Sequence, residues 1–381
     1  MDLSDIRKRL DEIDTEIIRL ACERLDLAED VARAKAQSGK PIFDPGRERE
    51  KLACAAQIAT TSRAPQAIAL MSLLMSMNRA EQAHILAHHD SHATSQLLKR
   101  SLLPADTVFP QTGTIACPGT EGSFSQQAAC KLFRAPSLVY FDNFQAIFQA
   151  VSEGLADFGI LPIENSTAGS VREVYDLLDT WGFSIVRSLR LKVSHHLLAL
   201  PTAKISDIRE IISHEQALAQ SAAFIQKLGV RTRVVANTAL AAEELARSGR
   251  TDLGALASRT CADLYGLQIL QENVQDSQSN YTRFVVIAPG TQIYPGSTRT
   301  SLLLRLQHEP GSLYRVLERF FALDINLVKL ESRPIPGTDF TFNFYFDLDC
   351  PASSPALERL LDSLSDVSVS YRLLGCYQEM V

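Results

Sequence analysis

Two cations interrupt an otherwise apolar seam near the start of the chain. Leu3, Ile6, Leu10, Ile13, Ile17 and Leu20 recur at alternating steps of three and four, and the same seam, continued by four, reaches Arg24, three residues before Leu27. Lys35 lies eleven residues further on, about 20° round a helix and about 16 Å along it, so both cations face one side. Arg7 is about 25 Å from Arg24 on a straight helix, too far to share a small ligand within one chain, whereas an antiparallel partner chain would bring it back. Such cations would meet an anionic ligand on the seam; a solvated basic face would give the same spacing.

Other candidate groups are weaker when taken singly. A positioned hydroxyl such as Thr282, polarised by its neighbours, can relay a proton, although its own pKa makes it a poor unaided acid. By itself it also reads as an ordinary strand residue, and Asn165 or Gln220 as surface or capping groups. Arg283 offers a partner for a substrate carboxylate or one half of a structural ion pair. Gly119-Thr-Glu-Gly122 lacks the G-x-G-x-x-G spacing and no P-loop lysine follows, which disfavours a dehydrogenase or kinase. His84, His88, His89 and His92 sit near a linker without paired cysteines, so no metal site is expected, and Met71, Met75 and Met77 read as helix packing.

These groups need elements to hold them. The chain has 381 residues, 46% hydrophobic and 22% charged, as in a globular protein of two or three domains. Its net charge of −6 and lack of a basic block give little support for nucleic-acid binding. No run is long and apolar enough to span a membrane and the N-terminus does not read as an export signal. The seven scattered cysteines, never in C-x-x-C, suggest a reduced, cytoplasmic protein.

Residues 1–38 contain neither Gly nor Pro and predict one long amphipathic helix, stopped by Gly39 and Pro41, whose seam needs cover from another helix or another chain. Asp44-Pro45 and Pro65 open two more helices, giving an all-α region over 1–90. Residues 91–112 read as a linker with at most a short helical piece. Over 113–290, strands at 114–116, 158–162, 185–189, 197–200, 234–236 and 254–257 alternate with helices, as in α/β folds with a parallel sheet. Asn143–Ile163 resembles Asn237–Ala257, each a helix, a glycine turn and a strand with an Asp-x-Gly element. Two similar lobes imply a cleft between them. Residues 298–381 read as βαββαβ, a ferredoxin-like module.

Residues 5 to 52, which include IRKRLDEIDTEIIRLACERLDLAEDVARAKAQSGKPIFDPGREREKL, resemble the all-helical chorismate mutases. The resemblance implies that Arg7 (from the other subunit), Arg24 and Arg47 clamp the substrate's carboxylates and that Lys35, Asp44, Glu48 and Gln82 complete the site. Where that family commonly has a serine four residues before the last of these, this chain has Asn78. The chemistry agrees: rearranging chorismate to prephenate is a unimolecular shift that needs donors to hold a dianion in the reactive chair and to stabilise charge on the breaking ether oxygen.

GTEGSFSQQAA (119–129), PIENSTAGSV (162–171), SHEQALAQ (213–220), LYGLQIL (264–270) and NYTRFVV (280–286) together resemble prephenate dehydratase, whose middle region is similar to two-lobed periplasmic-binding-protein-like folds. The resemblance implies a central catalytic role for Thr282, a cleft lined by Asn165, Ser213 and Gln220, and substrate contacts from Gly122, Ser123 and Arg283. Prephenate must lose carbon dioxide and water, so the site mainly has to protonate a leaving oxygen; which group supplies that proton is left open. HEPGSLYRVL (308–317) and KLESRPIPG (329–337) resemble an ACT regulatory domain, which implies a phenylalanine pocket from Gly311, Ser312 and Leu313 with Glu331, Ser332, Arg333 and Pro334 of a neighbouring subunit.

The combined expectation is a cytoplasmic bifunctional enzyme of phenylalanine biosynthesis. It would convert chorismate to prephenate and prephenate to phenylpyruvate, need no cofactor, be inhibited by phenylalanine and form a homodimer, with pairing into tetramers left open. The alternative is a cytoplasmic amino-acid-sensing binding protein with a helical dimerisation arm. Arg24 argues against it, because an arm gains nothing from a charge on its seam.

Overall fold

The computed structural model describes every residue except Met1, Pro41, Phe43, 91–97, 336–340 and Asp366, and leaves out the side chains of Pro45, Ala80, Ala83, His84 and 86–90. Parts of the expected linker, the last two residues of the KLESRPIPG motif and the side chains of the histidine tract therefore lie outside the described residues.

Four helices open the chain, α1 (Leu3–Asp26), α2 (Ala28–Ser38), α3 (Pro45–Ile58) and α4 (Ala64–Asp90), followed by a helical turn, α5, at 98–101. The single long helix expected over 1–38 is two, jointed at Leu27. Beyond the joint, Ala28 and Ala32 are fully buried, and these small residues let α2 approach closely, whereas α1 buries none of its residues. Asp2 and Asp5 form a capping box at the start of α1, and Gly39, at φ +62°, closes α2. Asp44 caps α3 by accepting from the Arg47 N–H at 3.0 Å, with Pro45 in the first turn. Along α1 the seam residues Leu3, Ile6, Leu10, Ile13 and Ile17 remain 39–63% exposed.

The next region begins β1 (Thr112–Pro118), α6 (Phe124–Leu132), β2 (Ala135–Phe141), α7 (Phe144–Ser152), β3 (Phe158–Asn165), β4 (Gly169–Ser170), α8 (Arg172–Trp181) and β5 (Ser184–Lys192). A second lobe follows in β6 (His196–Ala199), β7 (Glu210–Ser213), α9 (Glu215–Ala219), α10 (Ala222–Leu228), β8 (Arg231–Val234), α11 (Thr238–Ser248), β9 (Leu253–Ala257), α12 (Arg259–Tyr265) and β10 (Gln268–Gln271). Then β11 (Tyr281–Ala288) returns to the first lobe, between β5 and β3. The two crossings between lobes run side by side, with Val193 N donating to Asn280 O and Val274 N to His195 O.

Both sheets are mixed instead of parallel. In the first lobe β1 pairs in parallel with β2 and β3, but β11 is antiparallel to both β3 and β5; the second has the order β10-β6-β9-β7-β8, with β6 antiparallel to its neighbours. The returning crossings impose this, since a chain that leaves one lobe and comes back enters in the opposite sense. The expected strand at 234–236 lies earlier, at Arg231–Val234, a sheet-edge strand whose four residues are all exposed.

The internal repeat is structural. Asn143 caps α7 and Asn237 caps α11, each accepting a backbone N–H at 2.8 Å. Gly159 and Gly254 then occupy matching strand positions, where an added Cβ would lie 2.7 Å from Ile147 and 2.8 Å from Leu197. Neither has room for a side chain.

The C-terminal elements are β12 (Arg299–Arg305), α13 (Ser312–Ala322), β13 (Asn326–Pro334), β14 (Phe342–Asp349), α14 (Pro355–Leu364) and β15 (Ser370–Met380), the expected βαββαβ order. The chain divides into two compact units, residues 1–101 with 302–372, and 102–301 with 373–381. Leu98 is buried and Phe109 packs on Phe133, Phe158 and Tyr294, so the described part of the expected linker is anchored at both ends.

Candidate active sites

In the first unit, α4 is the element on which the candidate mutase residues meet. Leu74, Asn78 and Gln82 recur every fourth residue and therefore share a face. Arg24 reaches that helix from α1, its Nη1 donating to the Leu74 carbonyl at 2.6 Å, and Asn78 Nδ2 contacts Arg24 O at 3.4 Å. Gln82 is buried and donates to Asn78 Oδ1. Glu48 of α3 pairs with Arg79 of α4, which is also buried. Lys35 Nζ donates to Ile42 O at 2.5 Å. Burial lowers the pKa of Arg24, and that of Lys35 too, where Asp44 and Glu48 oppose it and Arg79 adds to it. An anion would relieve the desolvation of both cations.

Two of the expected residues are not drawn into this group. Arg47 is exposed and paired with Glu50 at 3.0 Å, one turn along its own helix. Arg7 is exposed on α1. Asp44 is exposed at the α3 cap, its pKa lowered first by the hydrogen bond from the Arg47 backbone.

In the second unit, a cavity of about 630 Å³ opens between the lobes, lined by Ser123, Asn165, His195, Gln216, Gln220 and Thr282 among others. Thr282 and Asn165 face each other in register across β11 and β3. Asn165 Nδ2 donates to Thr282 Oγ1 at 2.9 Å and to Asn280 Oδ1 at 2.9 Å. With its oxygen already accepting, the Thr282 hydroxyl keeps its proton available to a third group. Asn165 Oδ1 in turn accepts from the Thr167 hydroxyl at 2.7 Å and from the N–H groups of Thr167 and Ala168 at 3.0 Å each. Gln220 donates to Thr167 Oγ1, and its Oε1 accepts from Asn280 Nδ2 at 2.9 Å. The donors form one chain, from Asn280 through Gln220, Thr167 and Asn165 to Thr282, with Asn165 also donating back to Asn280.

His195 completes the wall, its Nε2 3.3 Å from Gln220 Oε1 and its ring edge-on to Phe124. Burial pushes its pKa down to about 4, against the pull of the Gln220 hydrogen bond and with smaller repulsion from His196 and His214. Ser123 lines the cavity while capping α6, where its hydroxyl accepts from Gln126 N.

Three expected cleft residues lie elsewhere. Arg283 follows Thr282 in β11, so strand alternation sends it to the opposite face. There it is buried, with its Nε 3.1 Å from Glu379, its Nη2 donating to Tyr377 Oη, and Glu164 at 3.8 Å. The structural ion pair prevails over the substrate contact. Ser213 is fully buried at the end of β7, donating to Leu256 O at 2.6 Å, outside the cavity lining. Gly122, at φ +86°, also lies off the lining; a Cβ there would meet Cys261 Sγ at 2.8 Å.

In the βαββαβ module, Gly311 adopts φ +86° at the start of α13, with Ser312 buried behind it and Leu313 half-buried. Glu331, Ser332, Arg333 and Pro334 lie on β13, the sheet-edge strand, where Glu331 and Arg333 turn to the half-buried face and Ser332 and Pro334 to the exposed one.

Comparison with known proteins follows the same division. The sequence model of the prephenate dehydratase family matches residues 115–292, and that of chorismate mutase type II matches residues 6–83. The bifunctional chorismate mutase/prephenate dehydratase of Aquifex aeolicus is 30% identical over 379 residues, covering 99% of this chain and 98% of its own. That of Escherichia coli K12 is 29% identical over 388 residues, covering 98% and 95%. This chain belongs to the bifunctional chorismate mutase/prephenate dehydratase family. It therefore converts chorismate to prephenate and prephenate to phenylpyruvate in phenylalanine biosynthesis. A solved structure of prephenate dehydratase from Arthrobacter aurescens, in complex with L-Phe, has 27% identity and a TM-score of 0.64, covering 69% of this chain and 89% of that one.

Reading the chorismate mutase/prephenate dehydratase sequence alone passed over Arg79, Asn280, Thr167 and His195. Arg79 breaks no apolar period on α4, so nothing marks it. Asn280 opens the NYTRFVV motif and His195 precedes β6, both on crossings whose adjacency only the fold reveals.

Proposed function

We propose that the two reactions use the two groups of residues described above. In the mutase, Arg24 and Lys35, with Arg47 and the partner chain's contribution at Arg7, hold the carboxylates of chorismate. Gln82, Glu48, Asn78 and Asp44 line the rest of the site and place a donor at the ether oxygen. In the dehydratase, Thr282 relays a proton to the departing ring hydroxyl, which leaves as water while the ring carboxylate leaves as carbon dioxide; the threonine takes a replacement proton from solvent, and Asn165, Asn280 and Gln220 hold it for that step. The observation that carries this reading is the 2.9 Å bond from Asn165 Nδ2 to Thr282 Oγ1 at the cavity wall. Asn165→Ala should then lower the dehydratase kcat more than it raises KM, because the bond is used as charge moves in the transition state. A normal kcat would remove the network from the mechanism.

Phenylalanine is the feedback inhibitor in this reading, bound where Gly311, Ser312 and Leu313 of one module face β13 of another. The L-Phe complex of the Arthrobacter relative and the half-exposed edge strand support it. The functional divisions are 1–90 for the mutase, 113–290 for the dehydratase and 298–381 for regulation, with 91–112 between the first two. The assembly is a cytoplasmic homodimer, supported by the exposed α1 seam and by seven scattered cysteines with no C-x-x-C pair among them. Mixing Arg7→Ala and Arg24→Ala chains should restore one intact mutase site per heterodimer, and no recovery would refute the shared site.

A further inference from the structure

The βαββαβ module touches the helix that carries the mutase residues, and it does so through charged groups. Glu318 and Arg319 are consecutive on α13, and both are more than nine-tenths buried. Both close on one residue of α4: Ser76 Oγ donates to Glu318 Oε2 at 2.5 Å, and Arg319 Nη1 donates to Ser76 O at 3.1 Å. Ser76 lies one turn before Arg79, the partner of Glu48, and two residues after Leu74, whose carbonyl holds Arg24. Two α4 carbonyls, two residues apart, thus receive arginines from different parts of the fold.

Stability alone does not account for the contact. The second Glu318 oxygen, Oε1, is buried without a hydrogen-bond partner, an arrangement that apolar residues of similar volume would improve on. Beside the contact is a cavity of about 500 Å³, lined by Leu25 next to Arg24, by Leu73 and Met77 of α4, and by Phe321 of α13. The helices are therefore held there by directed polar bonds more than by close packing.

We infer that Glu318 and Arg319 are positioning residues for the mutase, setting through Ser76 the placement of α4 and of Arg79, Asn78 and Gln82 upon it. The inference rests on the mutase assignment proposed above. A rigid helix carries a displacement at Ser76 to residues one and two turns away, and misplacement by about 1 Å can cost about 100-fold in rate.

The test is steady-state mutase kinetics of the full-length chain carrying Ser76→Ala, Arg319→Gln or Arg319→Lys, with dehydratase activity on supplied prephenate and thermal unfolding measured alongside. Ser76→Ala and Arg319→Gln should lower mutase kcat by about tenfold with KM changed by less than about twofold, since the groups placed act on the transition state. Arg319→Lys, which keeps a donor, should recover part of the loss, and the dehydratase should be unaffected. Unchanged mutase kcat in both Ser76→Ala and Arg319→Gln would overturn the inference. So would a parallel fall in dehydratase activity and unfolding temperature, which would mark a general structural loss. Arg24→Ala serves as the control: if it keeps mutase turnover, the site assignment itself fails, and with it the inference.

Discussion

Replacing Thr282 by valine removes one hydroxyl and keeps the shape. The side chain stays on β11 opposite Asn165, and Asn165 Nδ2 loses its 2.9 Å acceptor while keeping Asn280 Oδ1 at 2.9 Å. Because that second partner survives, the stability cost should be about 1 kcal/mol, at the low end for an interrupted buried hydrogen bond. The catalytic cost should be larger. A positioned acid contributes about 100- to 10,000-fold, or about 2.7 to 5.4 kcal/mol of barrier. Thr282→Val should therefore lower kcat for prephenate by at least about 100-fold while KM moves little, followed by the absorbance of phenylpyruvate. Thr282→Ser, which keeps the hydroxyl, should retain a measurable part of the activity. A Thr282→Val enzyme with kcat within about threefold of wild type would refute the proton-relay role, because no positioned acid contributes so little.

Three further outcomes follow from the same geometry. Below pH 6.5 an unfolded His195 takes up a proton that the folded, buried ring, with its pKa lowered to about 4, refuses, so its stabilising effect is complete above pH 6.5 and is lost as pH falls toward 4. The loss is about 3 kcal/mol, and His195→Asn should flatten that part of the urea-unfolding profile against pH. Arg283→Ala should act on folding before catalysis, costing about 1.5 to 3 kcal/mol in thermal or urea unfolding, because the half-buried Glu379 keeps Arg299 and the Ser188 hydroxyl but loses its Arg283 partner; a selective rise in KM for prephenate would instead restore the substrate contact. Gly311→Ala, forced to φ +86° at a cost of about 1 kcal/mol, should raise the phenylalanine concentration that half-inhibits the dehydratase, and an unshifted inhibition curve would count against that turn as part of the pocket.

Much of this was legible in the chain because some signals are local. Asn143 and Asn237 announce their helices, and Asp44-Pro45 announces α3, since caps are chosen by backbone groups a few residues away. The joint at Leu27 was not, as Leu27 keeps helical-region angles (φ −72°, ψ −7°) and carries no Gly or Pro to mark it. The edge strand β8 gave no apolar run because all of its residues face solvent. At the sites, Arg24 stood out against an aliphatic seam, whereas Arg79 did not. Thr282 and Arg283 show both sides of the matter: their adjacency suggested one shared site, yet the alternation of a strand already separates neighbours onto opposite faces. His195 and Asn280 lie 85 positions apart and both reach Gln220 Oε1 only because the two crossings between lobes run together.

The central claim is that one chain carries two independent active sites, one centred on Arg24 and the other on Thr282. Arg24→Ala and Thr282→Val proteins, each given chorismate alone and then mixed, test it most directly, with prephenate and phenylpyruvate both followed over time. Separately, the first should leave chorismate largely unconverted and the second should accumulate prephenate; mixed, they should form phenylpyruvate through prephenate released from one protein and taken up by the other. Phenylpyruvate formed from chorismate at the wild-type rate by either variant alone, or a folded Arg24→Ala protein that also fails on supplied prephenate, would contradict the account.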